Sequence, residues 1–181
     1  MTNLGLWNRW YRDLEEPAAY GDTESYQMGA DWLTGCKTVE DWGSGKGWFR
    51  QFVRDDQTYT GVDGSKTPFA SVQADLASYM SVTEGLFMRH VLEHDYRWEA
   101  ILQNAVLSFT KRMVLVLFVP MSDGDTVELA FAPDPGVPDL SLSRRALERI
   151  IKSTSTIVGV QTFTSATQYG SETVYLLEKK L

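Results

Sequence analysis

Short apolar runs and amphipathic segments alternate along the chain, and this pattern predicts strands and helices in turn. Four runs with strand character lie in the first half of the chain, at 36–42, 59–63, 69–73 and 83–88. The uninterrupted apolar run at 113–119 is typical of a central strand that is covered on both faces. Two β-rich stretches, at 157–164 and 173–178, are joined by a link too short for a helical crossover, so we expect them to pair antiparallel.

Helical periodicity marks the segments between these runs. It is clearest at 98–109, where apolar residues recur every three or four positions. Lys111 and Arg112 are expected near the end of that helix, because cations suit the negative end of a helix dipole. Weaker patterns predict further helices at 7–14, at 22–33, directly after residue 47 and at 142–151.

The order of these elements predicts an α/β fold in a single domain, which the length of 181 residues also favours. We expect a Rossmann-like, doubly wound and mostly parallel sheet in three α/β/α layers, with an antiparallel hairpin at its C-terminal edge. The expected parts are an N-terminal helical cap at 1–34, a binding core at 35–119, an excursion over the carboxyl edge of the sheet at 120–140, and a C-terminal helix with the antiparallel edge at 141–181.

Charge and cysteine content narrow the class of protein. The formal charge of -7 disfavours nucleic-acid binding through a broad basic face. Cys36 is the only cysteine, which excludes an internal disulfide and fits a reducing compartment. The longest strongly apolar run, 113–121, is too short to span a bilayer, and the N-terminus lacks the basic-then-apolar order of a secretion signal. We therefore expect a cytoplasmic protein without a membrane partner, as a monomer or a homodimer.

Three glycines, at positions 43, 45 and 47, give the strongest chemical signal on the chain. They follow a predicted strand and precede a predicted helix, where a backbone with positive φ can approach a ligand closely. A phosphate-binding P-loop would need Ser or Thr after Lys46, but Gly47 stands there. A dinucleotide fingerprint would place its third glycine one residue later. A plain tight turn between strand and helix is the alternative.

Several landmarks together resemble the class I S-adenosylmethionine-dependent methyltransferases. Asp41–Gly47 resembles their motif I, in which an acidic residue precedes three alternating glycines. Tyr59–Ser65 is similar to their second strand, which ends in an acidic residue, here Asp63. Gln73–Leu76 resembles the turn after their third strand, and Arg89–His94 the segment after their fourth.

The resemblance covers about 32–119 and implies that S-adenosylmethionine (SAM) binds along the ends of strands one to four. The implied cofactor contacts are Asp41, Gly43, Ser44 and Gly45 for the methionine part, Asp63, Gly64 and Ser65 for the ribose, Asp75 and Leu76 for the adenine, and Arg89 near the methyl group. Two residues depart from the family. Trp42 is bulky where a small aliphatic residue is common, and Lys46 places a cation in the turn, either solvated or directed at a carboxylate such as that of the cofactor.

His90 and His94 are the only histidines, and each is a candidate general base for methylation of a hydroxyl or a protonated amine. Their i, i+4 spacing would place them on one face of a helix, while a structural or cap-forming role is the alternative. The spacing also resembles a metal-binding pair, but no third ligand is evident, so we expect no metal site. Tyr11 and Tyr20 are candidate substrate-pocket residues, although aromatic residues at helical spacing also fit a core.

The expected function is therefore SAM-dependent methyl transfer to an oxygen or nitrogen atom of a small-molecule acceptor. No substantial extra domain is evident that could hold a macromolecule, and Met88–Val91 stands where enzymes that methylate amino groups of DNA bases carry their signature. Two alternatives stay open. One is a methyltransferase that acts on protein or nucleic acid, and the other is a non-catalytic cofactor-binding module of the same fold.

Overall fold

The computed structural model describes residues 7–11, 14–132 and 136–180. Nine strands occur in this part of the chain: β1 (Thr38–Trp42), β2 (Thr58–Asp63), β3 (Val72–Gln73), β4 (Thr83–Arg89), β5 (Phe109–Leu117), β6 (Val127–Ala132), β7 (Val137–Ser141), β8 (Ser155–Thr164) and β9 (Ser171–Lys179). Seven of them form one sheet in the order β3-β2-β1-β4-β5-β9-β8, and β6 and β7 form a separate antiparallel pair.

The main sheet has the predicted mixture of strand directions. From β3 to β5 in the spatial order all neighbours are parallel, whereas β9 pairs antiparallel with both β5 and β8. The predicted mostly parallel sheet with an antiparallel hairpin at its C-terminal edge is thus confirmed.

Helices cover both faces of this sheet. The α-helices of the described residues are α1 (Asn8–Tyr11), α2 (Glu24–Trp32), α3 (Trp98–Ser108) and α4 (Arg144–Thr154), with 3-10 turns at Trp48–Phe52 and Leu92–His94. Helices α3 and α4 share one buried cluster with the sheet, and α2 and the first 3-10 turn share the other. None of the helices in the described ranges is long and apolar enough to cross a bilayer.

Strand β5 shows why its sequence carries no polar alternation. Met113 and Leu115 point into the cluster with α3 and α4, whereas Val114 and Val116 point into the cluster with α2. All four side chains have no measurable exposure. Burial of each stabilises the fold by roughly 1.5–3 kcal/mol, so both faces of the strand contribute to the core. The prediction of a central strand covered on both sides is confirmed.

The prediction that Lys111 and Arg112 lie near a helix end is wrong. Helix α3 ends at Ser108, and the chain enters β5 at Phe109, which pairs with Thr83 of β4 and is fully buried. Pairing with β4 therefore outweighs the helical periodicity of the sequence. The lysine instead binds Glu84, with 2.8 Å between Nζ and Oε2.

Three further sequence predictions need correction. The segment after the glycine cluster forms only a 3-10 turn rather than a longer helix. His90 and His94 do not share a helix. His90 follows the end of β4 with a φ of 56°, which is not helical, and only His94 belongs to the 3-10 turn Leu92–His94. The excursion at 120–140 holds two paired strands where only one was predicted. Of the predicted helix at 7–14, Asn8–Tyr11 is helical, and residues 12 and 13 lie outside the described residues.

Candidate functional site

A cavity of about 450 Å³ opens at the carboxyl ends of β1, β2 and β4. Its floor is the turn that follows β1, and its walls come from the ends of β2 and β4, the segment after β3, N-terminal residues within 7–11 and 18–26, and the loop at 166–168. Open α/β sheets bind ligands in a crevice at this edge. The cavity brings together the sequence-predicted residues Tyr11, Tyr20, Asp41, Gly43, Ser44, Asp63, Gly64, Ser65, Asp75, Leu76, Arg89, His90 and His94.

The glycine turn needs its glycines for two separate reasons. Gly43, Gly45 and Gly47 have φ of 77°, 46° and 71°, a region that other residues rarely adopt. Space is also restricted, because a Cβ on Gly43 would lie 2.2 Å from Val91, and one on Gly47 would lie 2.5 Å from Phe69. The turn is therefore shaped by its neighbours and brings bare backbone to the cavity.

Asp63 holds this turn to the end of β2. Its Oδ2 accepts a hydrogen bond from Gly45 N at 2.8 Å, and its Oδ1 accepts one from Ser65 N at 2.8 Å and another from Ser65 Oγ. Burial raises the pKa of Asp63, and these donors oppose the shift. Asp63, which the sequence predicts at the end of the second strand, thus borders the cavity and is hydrogen-bonded to the glycine turn.

Asp41 adds a second buried carboxylate. The Tyr59 hydroxyl donates to its Oδ2 at 2.9 Å. Burial first, and the nearby charge of Asp63 second, raise the pKa of Asp41 to about 7, although the Tyr59 hydrogen bond and Arg89 pull it down. The floor of the cavity therefore holds two acidic groups, and a cationic ligand would favour their ionised forms.

Ser44 lines the cavity, and its Oγ lies beneath the turn, 3.1 Å from the Cβ position of Gly61 in β2. This Oγ is buried and has no hydrogen-bond partner within the described ranges. A buried hydroxyl without a partner is uncommon in folded proteins.

Asp75 is already engaged by a cation that the sequence reasoning missed. Arg97 Nη1 lies 2.7 Å from Asp75 Oδ2, and Arg97 Nη2 lies 2.8 Å from Asp95 Oδ2. Asp75 Oδ1 accepts from Ala77 N at 3.1 Å. Next to it, Leu76 is buried and gives the cavity an apolar surface. The Asp75 carboxylate beside the apolar side chain of Leu76 suits a flat ring that carries an exocyclic hydrogen-bond donor.

Arg89 is a buried link between the N-terminal segment and the sheet. Its Nε donates to Ser25 Oγ at 3.0 Å, its Nη1 to the Tyr26 hydroxyl at 2.9 Å, and its Nη2 to Tyr20 O at 2.7 Å and to Glu172. These contacts position the guanidinium as a wall of the cavity. Glu172 belongs to β9, and no local sequence pattern predicts its contact with Arg89.

The two sequence-predicted tyrosines lie over the glycine turn. The Tyr20 hydroxyl donates to the Tyr11 hydroxyl at 2.9 Å, and burial raises the pKa of both groups. Tyr11 Oη is within 3.1 Å of the Cβ position of Gly45. Lys46 borders the cavity, and its Nζ sits 4.2 Å from the centroid of the Tyr20 ring.

The bulky Trp42 does not obstruct the turn. Its side chain is fully buried in the cluster with α3 and α4, and its Nε1 donates to Glu40 Oε2 at 2.7 Å. Because adjacent strand residues point to opposite faces, Trp42 lies on the other side of β1 from Asp41. Trp48, by contrast, contributes to the wall of the cavity.

The two histidines have different surroundings. His90 Nε2 lies 2.9 Å from Glu172 Oε1, and burial lowers the pKa of His90 to about 4 despite that carboxylate. His94 Nδ1 lies 3.0 Å from Pro138 O and 3.4 Å from Asp139 Oδ1, both from β7. Among the described residues no group of three or more His, Cys, Asp and Glu side chains could hold a metal ion.

No family model matches the sequence, and no curated protein matches it. Its fold does match solved structures. The 1,6-didemethyltoxoflavin-N1-methyltransferase of Burkholderia thailandensis, solved with 1,6-didemethyltoxoflavin and S-adenosylhomocysteine (SAH), aligns with a TM-score of 0.67 and 16% identity over 88% of this chain and 80% of that one. The N-methyltransferase NodS of Bradyrhizobium japonicum, solved with SAH, aligns with a TM-score of 0.67 and 11% identity over 99% and 100%.

A third structure gives the same result. The magnesium protoporphyrin IX methyltransferase of Synechocystis, solved with SAH, aligns with a TM-score of 0.63 and 14% identity over 96% of this chain and 94% of that one. At identities this low, the structural alignments establish a shared fold. The chain has the fold of the class I SAM-dependent methyltransferases, as the resemblance of its sequence implied.

Replacement of Gly43 by alanine tests whether the turn is sterically constrained. Gly35→Ala is the matched control, because Gly35 has φ of 88° but no atom within 4 Å of its Cβ position. The control should lose about 1 kcal/mol of unfolding free energy from backbone strain alone. Gly43→Ala should lose at least about 2 kcal/mol more through contact with Val91. Urea denaturation measures both, and equal losses would contradict the constraint.

Replacement of Asp41 by asparagine tests the cost of the buried charge. The pKa of Asp41 is about 7 in the folded chain, above its ordinary value, so ionisation at higher pH destabilises the fold. Asp41→Asn should therefore raise the unfolding free energy at pH 8 by about 1–3 kcal/mol, and the gain should nearly vanish near pH 4. Asp56→Asn, at an exposed carboxylate, is the control and should give no such gain. A stability unchanged at pH 8 would refute the assignment.

Proposed function

We propose that this protein binds SAM in the cavity and transfers its methyl group to an oxygen or nitrogen atom of a small molecule. One observation carries the proposal: the positive-φ glycine turn is hydrogen-bonded to the carboxylate of Asp63 at the edge of a class I methyltransferase sheet. That arrangement brings a turn without side chains at its glycines and a carboxylate to the same edge of the sheet, where a nucleoside can approach both.

The donor and acceptor groups of the cavity suit the parts of SAM in turn. Asp63 would accept the ribose hydroxyls with Gly64 and Ser65 beside it, and Asp75 and Leu76 would receive the adenine. Asp41, with the turn from Gly43 through Ser44 to Gly45, would hold the methionine part, whose ammonium and sulfonium charges suit an acidic floor. Arg89 would form the wall near the methyl group.

When bound, SAM supplies a methyl group that its sulfonium already activates. The task of the chain is then to align an acceptor with that group and to keep water away, and alignment alone supplies a large part of the acceleration. The stacked N-terminal aromatic residues, with Trp7 and Tyr11 ring centroids 5.9 Å apart, would close the cavity over the reacting atoms. Tyr11 and Tyr20 are accordingly our candidates for contacts with the acceptor.

A small acceptor is favoured over a macromolecule. The cavity has a volume of about 450 Å³ and is bordered by N-terminal residues within 7–11 and 18–26, and the formal charge of -7 opposes approach to a phosphate backbone. Two of the solved neighbours named above are methyltransferases of small molecules, 1,6-didemethyltoxoflavin and magnesium protoporphyrin IX. We propose a cytoplasmic location, because the single cysteine fits a reducing compartment.

His90 and His94 stay the candidates for a general base.

Binding of SAH tests the proposal directly. Isothermal titration calorimetry should detect SAH binding to the full chain, and Asp63→Ala should weaken it about 100-fold, because about two hydrogen bonds to a charged group are lost. Asp56→Ala is the matched control, since Asp56 is exposed and distant from the cavity. Ser65→Ala, which keeps the carboxylate but removes the Oγ donor to it, should weaken SAH binding less than Asp63→Ala does.

Two results would count against the proposal in different ways. If the unaltered chain does not bind SAH at all, the proposed function fails. If SAH binds and Asp63→Ala binds it equally well, the ribose assignment fails while the cavity keeps its role.

A further inference from the structure

Asp75 borders the cavity, and two donors from different parts of the chain hold its carboxylate in place. Ala77 N donates to Asp75 Oδ1 at 3.1 Å, and Arg97 Nη1 donates to Asp75 Oδ2 at 2.7 Å. The first donor is two residues away along the chain, whereas the second belongs to the N-cap residue of α3. The ion pair therefore connects the segment after β3 to the start of that helix.

Arg97 is a fixed donor because Asp95 anchors it from the other side. Its Nη2 lies 2.8 Å from Asp95 Oδ2 and its Nε lies 3.1 Å from Asp95 Oδ1, which is the bidentate pairing that arginine forms with carboxylates. Asp95 Oδ1 also accepts from Arg97 N at 2.8 Å, and Asp95 O accepts from Trp98 N at 3.0 Å. The guanidinium is therefore tied to the first turn of α3, and its Nη1 is the atom that reaches Asp75.

The charges around Asp75 favour its ionised form. Burial alone would raise the pKa of Asp75, but the hydrogen bonds from Arg97 and from Ala77 N outweigh burial and lower the pKa below its ordinary value. An ionised carboxylate only accepts hydrogen bonds and has about four lone-pair sites. The two donors occupy two of these sites, so Asp75 can accept a further hydrogen bond from a ligand in the cavity.

An acceptor of this kind distinguishes bases that differ in one exocyclic group. Adenine carries an amino group, which donates, whereas hypoxanthine carries a carbonyl oxygen at the same ring position, which accepts. A fixed carboxylate bonds to the first and repels the second. A carboxyl group that can turn away, or that takes up a proton and becomes a donor, loses part of this distinction. The distinction therefore depends on the groups that hold Asp75.

The apolar surface beside Asp75 cannot make this distinction. Leu76 and Ile101 both border the cavity and are buried, and Ile101 N donates to Arg97 O at 3.1 Å within α3. Both side chains can pack against a flat ring, but the two bases have nearly the same shape. Discrimination between them must come from a polar group.

We propose that Arg97, anchored by Asp95, is a positioning residue that holds the Asp75 carboxylate for the amino group of adenine and so gives the cavity a preference for adenine over hypoxanthine. This proposal rests on the proposed function and deepens it. Arg97 acts through Asp75 and is not itself assigned a contact with the base.

Comparison of two nucleosides tests the proposal. SAH and S-inosyl-L-homocysteine (SIH) differ in the base alone, which is adenine in the first and hypoxanthine in the second. Isothermal titration calorimetry on the full chain should show that SAH binds at least about 10-fold more tightly than SIH. In Arg97→Met the affinity for SAH should fall about 10-fold and the affinity for SIH should change by less than about two-fold, because only SAH uses the positioned carboxylate.

The affinity for SIH also reports whether a variant is folded, because a misfolded chain would lose both nucleosides alike. If Arg97→Met loses both, Asp95→Asn takes its place, since it weakens the anchor and leaves Arg97 present; it must then lower the preference for SAH. Arg54→Met is the matched control. Arg54 pairs with the exposed Asp56, outside the cavity lining, and its replacement should leave the preference unchanged.

A double-mutant cycle separates action through Asp75 from direct contact with the base. In the Asp75→Asn background, Arg97→Met should change the ratio of the two affinities by less than about two-fold, because the group that Arg97 positions is already altered. An equal effect of Arg97→Met with and without Asp75 would mean that Arg97 binds the base itself, which overturns the proposal.

Two other results would also overturn it while leaving the proposed function intact. One is equal affinity of the unaltered chain for SAH and SIH. The other is a preference for SAH that Arg97→Met leaves unchanged. If the unaltered chain binds neither nucleoside, the proposed function itself fails and this inference fails with it.

Discussion

The hydrogen bond from Gly45 N to Asp63 Oδ2 is the interaction on which the rest of the site depends. It joins the end of β2 to the turn after β1, two elements that the sheet already places side by side, with Trp42 opposite Val62 in register. Because the same carboxylate also accepts from Ser65, it fixes both strand ends at once. A buried acid could not be held there without these donors, and the turn could not present its backbone without the acid.

Burial of charge explains both the architecture and the expected ligand. Arg89 and Glu172 neutralise one another inside the molecule and tie β4, β9 and the N-terminal segment together. Among the described residues Asp41 has no ion-pair partner, and burial raises its pKa to about 7 although the Tyr59 hydroxyl donates to it. A ligand with positive charge would favour the ionised form of this carboxyl group. The two histidines differ in the same way. Burial lowers the pKa of His90, whereas the hydrogen bond to Asp139 raises the pKa of His94.

The sequence predicts those features that neighbouring residues determine. The mostly parallel sheet, the covered strand β5 and the C-terminal hairpin follow from runs of apolar residues and from link lengths. The glycine turn and Asp63 are visible because both lie at strand ends with characteristic spacing. Contacts between distant segments leave no local pattern. Asp139 reaches His94, Glu172 reaches Arg89, and Arg97 reaches Asp75 only once the chain has folded. The wrong placement of Lys111 has the same cause, since pairing of β5 with β4 overrides helical periodicity.

A crystal structure of the full chain with SAH tests the central claim most directly. The account predicts that both ribose hydroxyls lie within hydrogen-bond distance of the Asp63 carboxylate, and that the amino-acid end lies over the turn between Gly43 and Gly45. The adenine should contact Leu76, with its amino group directed towards Asp75. A nucleoside bound elsewhere, or one in this cavity with its ribose turned away from Asp63, would contradict the account.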